Sequence, residues 1–237
     1  MRTVVVGASS GLGRCIAIGL AQRGAHVAML ARRRERLEAA AREAGSRSLA
    51  IECDVTDQAS CGAAIDDAAS GLGGIDALVY TPAIGPLAHL VDTDAETWRR
   101  VFDTNVRGAF SSIRVQIPEL AKTRGSIILT SSTAGSRGFA QAAVYTASKH
   151  AIEGIMRAAT HELAPQGIRV NVVAPGPTAT GMLDRFTGGR PELLAARVPL
   201  GRAASAEEVA EAVVWLASDE ARFVNGAVVP VNGGLTA

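Results

Sequence analysis

The chain alternates short runs of β-branched residues with longer alanine-rich stretches along its whole length. Runs of the first kind, bounded by glycine or polar residues, are typical of buried strands, and stretches of the second kind have helical apolar spacing. Regular alternation of the two predicts a parallel sheet with helices on both faces. We predict strands at residues 3–7, 26–31, 48–53, 77–80, 126–131, 169–174 and 227–231. We predict helices at residues 11–23, 33–44, 58–70, 95–106 running on toward 120, 143–164 and 206–217.

No linker, charge block or internal repeat interrupts this order, so residues 1–237 are predicted to form one doubly wound α/β domain. Its central parallel sheet should have about seven strands. The stretch 176–199 is different, because it combines several glycines and prolines with apolar residues directly after a strand. Long loops in compact domains are often functional lids, although a surface insertion with a small apolar patch fits the pattern too. Its position favours a substrate lid.

Charge and hydropathy exclude several classes of partner. The formal net charge is +1, so no broad basic field is available for nucleic acid or anionic lipid. Met1 leads directly into a valine run without a signal-type segment, and no apolar run approaches the length of a membrane span. The three cysteines share no metal-ligand spacing with one another or with the histidines. We therefore expect a cytoplasmic protein with reduced thiols, no metal site, no nucleic-acid partner and no membrane partner.

The first strand ends in a glycine-rich turn, Gly7-Ala8-Ser9-Ser10-Gly11-Leu12-Gly13, which opens a helix. Glycines there allow a tight turn and close backbone approach, so that a pyrophosphate can sit on the helix N-terminus. An ordinary strand-to-helix turn has similar composition. The turn predicts a Rossmann-type dinucleotide site, subject to the features of the next strands.

The second strand ends in Arg32 and Arg33, at the place where an acidic residue usually binds the adenosine ribose of NAD. A guanidinium there can bind a 2′-phosphate in a bidentate manner, which favours NADP(H) over NAD(H). We expect Arg32 to make this contact first and Arg33 second, although some arginines of this run simply begin a solvated helix. Asp54, after the third strand, could accept from an adenine amino group or cap the following helix.

Tyr145 and Lys149 are four residues apart and share one face of a predicted helix. A free phenol has a pKa of about 10, and a neighbouring cation favours the phenolate, so we expect Lys149 to lower the pKa of Tyr145. This pairing also occurs by chance on surface helices. Ser132 lies just past the end of the fifth strand, where α/β sheets present residues to ligands. We expect Ser132, Tyr145 and Lys149 to converge on one site.

Taken together, these motifs resemble those of the short-chain dehydrogenase/reductase family, in particular its 3-oxoacyl-reductase-like members, over essentially the whole chain. The matching pieces are the glycine-rich turn, Asp54-Val55, Asn105-Val106-Arg107-Gly108, Ser131-Ser132, Tyr145 to Lys149, Pro175-Gly176, Asn225-Gly226 and Gly233-Gly234.

The resemblance implies roles for individual residues. Ser132 would hydrogen-bond the substrate oxygen, Tyr145 would donate or accept the proton, Lys149 would lower the phenol pKa and hold the nicotinamide ribose, and Asn105 would hold a relay water. The cofactor-binding residues it implies, together with those predicted above, are Gly7, Ser9, Ser10, Gly11, Leu12, Gly13, Arg32, Arg33, Asp54, Val55, Ala83, Tyr145, Lys149, Pro175, Thr178 and Thr180.

The chain departs from the family pattern after the fourth strand, where relatives usually read Asn-Asn-Ala-Gly and this sequence reads Tyr80-Thr81-Pro82-Ala83. Pro82 lacks an N–H and Ala83 adds a Cβ, so this wall of the cofactor site must differ. Asn232 stands where relatives commonly carry aspartate. The altered wall motivates an alternative function, a sensor or scaffold that binds NADP(H) without turnover.

The favoured prediction is an oxidoreductase that moves a hydride between nicotinamide and a carbonyl or secondary alcohol. Apolar residues near the expected crevice indicate a mainly apolar substrate, of which a 3-oxoacyl thioester is one candidate; they are Ile84, Leu87, Phe139, Met182, Leu183 and Phe186. Arg137, Arg185 and Arg190 could contact an acidic tail of the substrate or remain solvated. The resemblance also implies a homo-oligomer, a tetramer or a dimer, formed through helices 105–120 and 143–164.

Overall fold

A computed structural model describes all residues from 1 to 237 and contains one seven-stranded sheet. The strands are β1 Arg2–Val6, β2 His26–Ala31, β3 Ser48–Glu52, β4 Ala77–Tyr80, β5 Ser126–Thr130, β6 Arg169–Pro175 and β7 Val228–Val231. The sheet order is β3-β2-β1-β4-β5-β6-β7, and every pair is parallel. The predicted single doubly wound Rossmann-type sheet is confirmed.

Nine α-helices connect or follow the strands. They are α1 Gly11–Gln22, α2 Arg34–Ala44, α3 Gln58–Leu72, α4 Ala95–Phe102, α5 Gly108–Thr123, α6 Ala143–Leu163, α7 Gly181–Thr187, α8 Glu192–Ala195 and α9 Ala206–Ala217. The long helix predicted from residue 95 toward 120 is interrupted by a π-helical turn, Asp103–Arg107, between α4 and α5. None of the helices combines the length and apolar character that crossing a membrane requires.

The core has two layers because neighbouring residues of each strand face opposite sides of the sheet. On one face, side chains such as Val4 and Val6 pack against α3, α5 and α6. On the other face, the alternate strand residues, such as Val5, pack against α1, α2 and α9. All strands run parallel, so their carboxyl ends lie along one edge of the sheet, and loops from both halves of the chain meet there.

The stretch 176–199 contains two short helices, α7 and α8, which the sequence pattern did not predict. Its first residues are fixed to the rest of the domain by backbone pairing. The amide of Ala204 donates to the carbonyl of Pro177, and the amide of Ala179 donates to the carbonyl of Ala204. The start of the segment is therefore anchored, while α7 and α8 lie beyond the sheet edge.

Candidate active site

The glycine-rich turn joins β1 to α1 and is packed closely enough to exclude side chains. A Cβ added at Gly13 would lie 2.5 Å from the carbonyl oxygen of Gly7 and from Oγ1 of Thr81. Thr81 itself donates a 2.7 Å hydrogen bond to the carbonyl of Val6. Ser10 precedes α1 but makes no capping hydrogen bond, so the first amides of that helix have no side-chain acceptor. Such an end fits an anionic phosphate group.

The two arginines after β2 have different surroundings. Nη2 of Arg33 donates to Oγ of Ser10 at 2.9 Å and to Oγ of Ser9 at 3.2 Å, so its guanidinium lies across the glycine-rich turn. Arg32 instead lies near Asp54, whose pKa it helps to lower. Burial raises that carboxyl's pKa, but hydrogen bonds from Thr56 and the charge of Arg32 outweigh it. Arg33 therefore lies against the glycine-rich turn, whereas Arg32 lies beside Asp54.

Asp54 and Val55 follow β3, as predicted, at the same edge of the sheet. Oδ1 of Asp54 accepts from the amide of Thr56 at 2.9 Å and from its hydroxyl at 2.8 Å. The carboxylate therefore shapes its own loop, while the N-terminus of α3 is capped by Asp57. Of the two roles left open for Asp54, helix capping is excluded.

Asn105 is buried in the π-helical turn, and its side chain hydrogen-bonds to both backbone groups of one residue in the segment after β4. Its Oδ1 accepts from the amide of Ile84 at 2.8 Å, and its Nδ2 donates to the carbonyl of the same residue at 2.9 Å. Nδ2 also donates to Oγ of Ser148 at 3.0 Å, which in turn donates to the carbonyl of Tyr145 at 2.7 Å. Asn105 thereby fixes the loop that carries Ala83 and connects it to the helix of Tyr145.

Ser132, Tyr145 and Lys149 converge as predicted. Ser132 directly precedes the short helical turn after β5 and caps it by accepting from the amide of Ala134 at 3.2 Å. Tyr145 and Lys149 lie on the first two turns of α6 and are both buried. Nζ of Lys149 donates to the carbonyl of Thr130 at 2.8 Å and lies 5.6 Å from the centroid of the Tyr145 ring.

The expected lowering of the Tyr145 pKa is not found in this structure. Burial raises the pKa of the phenol, and a hydrogen bond with Ser132 offsets only part of that increase. Burial also lowers the pKa of Lys149 to about 8. Lys149 directs its ammonium group to a backbone carbonyl, so its charge does not overcome the desolvation of the phenol.

Aromatic side chains cover the phenol of Tyr145. The ring of Phe186, from α7, meets the Tyr145 ring edge-on with centroids 5.3 Å apart. Phe139 packs against the same small cluster. A Cβ added at Gly85 would lie 2.6 Å from Cζ of Phe186 and 2.9 Å from Cδ2 of Tyr145. Side chains from α7, the loop after β4 and α6 therefore meet around the phenol of Tyr145.

The remaining predicted residues lie between the glycine-rich turn and the surroundings of Tyr145. Pro175 ends β6, and Oγ1 of Thr178 donates to the carbonyl of Gly176 at 3.0 Å. Thr180 reaches the cofactor end, because its Cβ lies 3.7 Å from the position that a Cβ on Gly11 would occupy. The start of the 176–199 segment therefore lies against the glycine-rich turn.

Sequence reasoning missed a buried carboxylate behind this site. Oε1 of Glu153, on α6, accepts from Oγ of Ser131 at 3.0 Å, and its Oε2 accepts from Nη2 of Arg157 at 3.0 Å. Ser131 precedes Ser132, so Glu153 supports the turn that presents the Ser132 hydroxyl. Glu153 lies four residues after Lys149, so the two share one face of the helix. That spacing could have identified Glu153 from the sequence as a carboxylate facing the site.

A doubly wound sheet with these groups at its carboxyl edge has the arrangement of a dinucleotide-dependent oxidoreductase. A family profile described as Enoyl-(Acyl carrier protein) reductase matches residues 7–236. The chain is 40% identical to cis-4-hydroxycyclohexanecarboxylate dehydrogenase of Sinomonas cyclohexanicum, with 99% of this chain and 96% of that protein covered. It is 36% identical to 3-oxoacyl-[acyl-carrier-protein] reductase FabG of Staphylococcus aureus, with 98% and 96% covered.

The chain is also similar to reductases of known structure. The chain superposes with a TM-score of 0.95 on 3-ketoacyl-(acyl-carrier-protein) reductase from Brucella melitensis complexed with NADH, at 29% identity, covering 99% of this chain and 98% of that one. The chain belongs to the short-chain dehydrogenase/reductase family, as the sequence motifs predicted. This membership supports an oxidoreductase activity with a nicotinamide cofactor.

Proposed function

We propose that this protein is an NADP(H)-dependent oxidoreductase that interconverts a carbonyl and a secondary alcohol on a mainly apolar substrate. The observation that carries this proposal is the convergence of Ser132, Tyr145 and Lys149 beneath the aromatic ring of Phe186. The alternative of a sensor without turnover has less support, because none of the four side chains proposed for catalysis is missing.

In the reductive direction, Tyr145 donates its phenolic proton to the substrate oxygen, and in the oxidative direction it accepts that proton. Ser132 donates a hydrogen bond to the same oxygen and stabilises the charge that develops there. When bound, NADP(H) supplies or accepts the hydride. Lys149, whose ammonium group lies 5.6 Å from the centre of the Tyr145 ring, would resupply the proton together with the ribose hydroxyl, Asn105 and water. The aromatic cover keeps bulk water away from the reacting carbon.

The residues around the glycine-rich turn fit a phosphate-bearing cofactor. The uncapped first turn of α1 would hold the pyrophosphate, and Arg33, on Ser9 and Ser10, would hold the 2′-phosphate with help from Arg32. Lys149 would hold the nicotinamide ribose. Asp54 and Val55 would face the adenine, and Thr178 and Thr180 the nicotinamide side.

A carbonyl panel with NADPH tests the activity. It should include a cyclic 4-oxo acid and a 3-oxoacyl thioester, the substrate types that the names of two relatives indicate. We expect turnover of at least one member, and we expect Tyr145→Phe to lower kcat by at least about 100-fold while NADPH still binds. Tight NADPH binding without turnover of any substrate would instead support the sensor.

Cofactor preference is tested separately by measuring dissociation constants for NADPH and NADH. We expect Arg33→Ala to weaken NADPH binding about tenfold and NADH binding little, because only NADPH carries the 2′-phosphate. Arg34→Ala is a matched control, since Arg34 is paired with Glu38 on the outer face of α2. Equal losses for both cofactors would contradict the proposed preference for NADP(H).

We also propose that the chain forms a homo-oligomer through α4, α5 and α6. Supporting this, Trp98 and Phe102 are stacked with centroids 4.5 Å apart, and half of the Trp98 and Phe110 side-chain surface is exposed. Light scattering after size-exclusion chromatography should give a dimer or tetramer that Phe110→Asp shifts toward the monomer. A monomeric wild-type protein would rule this out.

A further inference from the structure

Arg185 is on the lid helix α7, and its guanidinium points toward the cofactor end of the site. Nη1 lies 3.5 Å from the position that a Cβ on Gly181 would occupy, so the side chain folds back to the start of the helix. That start follows Thr180, whose side chain contacts the Gly11 region of the glycine-rich turn. Arg185 therefore lies on the same side of α7 as the glycine-rich turn, within range of the charge of Arg33.

Arg33, at this turn, lies within range of the charges of three other arginines, one of which, Arg32, also lies near Asp54. Arg32, Arg33, Arg36 and Arg185 form no salt bridge, whereas Arg34 and Arg14 nearby are paired with Glu38 and Glu43. Burial lowers the pKa of Arg33, and the charges of Arg36, Arg32 and Arg185 lower it further. The guanidinium groups are thus close enough to repel one another, and a bound anion would remove that repulsion.

Phe186, the residue after Arg185, points in a different direction, so two faces of α7 have different surroundings. Phe186 packs on Tyr145, whereas Arg185 lies on the side toward Arg33. This arrangement favours a cofactor contact for Arg185 over the contact with an acidic substrate tail that the sequence left open. One short helix would then contact the cofactor with one face and the substrate with the other.

We propose that Arg185 is a phosphate-binding residue of the cofactor site, which draws α7 onto the glycine-rich turn when the cofactor binds. The inference rests on the proposed nicotinamide dinucleotide function. The phosphates of the cofactor neutralise the arginine cluster and join Arg33, on the sheet side, to Arg185, on the lid side. Closure of the substrate pocket by Phe186 thereby depends on a charged group of the cofactor.

The test compares wild type, Arg185→Ala, Arg185→Lys and the matched lid variant Arg190→Ala, whose arginine is exposed and unpaired on the same segment. Dissociation constants for NADPH and NADH are measured by fluorescence titration. Hydrogen exchange of the α7 amides is followed with and without NADPH, and thermal unfolding confirms that each variant folds.

We expect Arg185→Ala to raise the NADPH dissociation constant about tenfold, Arg185→Lys to raise it less, and Arg190→Ala to leave it within about twofold. NADPH should slow exchange in α7 of wild type but not of Arg185→Ala. A loss restricted to NADPH identifies the 2′-phosphate as the ligand, and an equal loss for NADH identifies the diphosphate; either supports the proposal.

Unchanged affinities for both cofactors in Arg185→Ala would overturn it, as would a change confined to the KM of an acidic substrate. These outcomes differ from failure of the proposed function itself, in which wild type would bind neither NADPH nor NADH.

Discussion

The phenol oxygen of Tyr80 lies 2.5 Å from the carbonyl oxygen of Thr104 and donates a hydrogen bond to it. Thr104 is in the π-helical turn, immediately before Asn105. A Cβ on Gly108 would overlap this phenol oxygen, so Tyr80 leaves no room for a side chain at Gly108. Tyr80 stands where the family usually has asparagine, and this departure supports the turn that holds Asn105.

Restoring the family residue should therefore harm this protein. Tyr80→Phe leaves a carbonyl without its partner and should lower the free energy of unfolding by about 1–3 kcal/mol. Tyr80→Asn also removes a buried ring from the core and should cost at least about 3 kcal/mol. Urea unfolding measures both values. A Tyr80→Asn protein as stable as wild type would show that the surroundings readjust and that the contact is dispensable.

Gly135 lies in the turn that follows Ser132, and its replacement should disturb the position of the Ser132 hydroxyl. A Cβ there would overlap Oε1 of Glu153 and Oγ of Ser131. We expect Gly135→Ala to destabilise the fold by about 2 kcal/mol and to lower kcat at least about tenfold. Gly138→Ala, in the same loop, meets no atom within 4 Å and should change stability by less than about 0.5 kcal/mol. Similar effects of the two variants in unfolding and turnover assays would refute this account.

The buried ammonium group of Lys149 should make the stability of the cofactor-free protein depend on pH. Its pKa is about 8 in the folded protein and 10.5 in a free side chain, so between these values the unfolded chain binds more protons. The free energy of unfolding must then rise with pH, by about 2 kcal/mol between about pH 7.5 and 9.5.

Urea unfolding of wild type and Lys149→Met over this pH range measures the contribution as a difference. The variant should lack the rise and be the more stable protein near neutral pH, while being inactive. Parallel curves for the two proteins would mean that Lys149 remains hydrated and charged.

The contact of Phe186 with Gly85 should set the width of the substrate pocket. Gly85→Ala would place a methyl group against the Phe186 ring and force α7 outward. We expect KM for an apolar carbonyl substrate to rise about fivefold, and the second substitution Phe186→Leu to reverse much of that increase. Steady-state kinetics of the single and double variants measure this. Additive losses in the double variant would argue against a shared contact.

The strands were predictable because a sheet buried on both faces requires runs such as Val4 to Val6, and each predicted boundary lies within one residue of the boundary in the structure. The convergence of Ser132 with Tyr145 followed from the same rule, since parallel strands end at one edge. The helices α7 and α8 were not predictable, because short helices among glycines and prolines have little apolar periodicity.

The remaining differences between the sequence-based predictions and the structure arise from tertiary contacts. The π-helical turn occurs where Asn105 hydrogen-bonds to both backbone groups of Ile84. Asn105 and Ile84 are distant in sequence, so local patterns do not predict this contact. The pKa of Tyr145 depends on how deeply the phenol is buried, and spacing to Lys149 contains no information about burial. Likewise, Arg33 contacts Ser10 while Arg32 lies near Asp54, and the sequence of two adjacent arginines does not indicate which way each side chain points.

The order of the sheet has a consequence for how the chain assembles during synthesis. β1 pairs with both β2 and β4, so the half that would hold the cofactor can be completed once Tyr80 has been made. Because β5, β6 and β7 follow in this order along the sheet, we expect each of them to add to its outer edge in the order of synthesis. Tyr145, on α6, is made after β5, so we expect it to dock onto a sheet whose central strands are already in place.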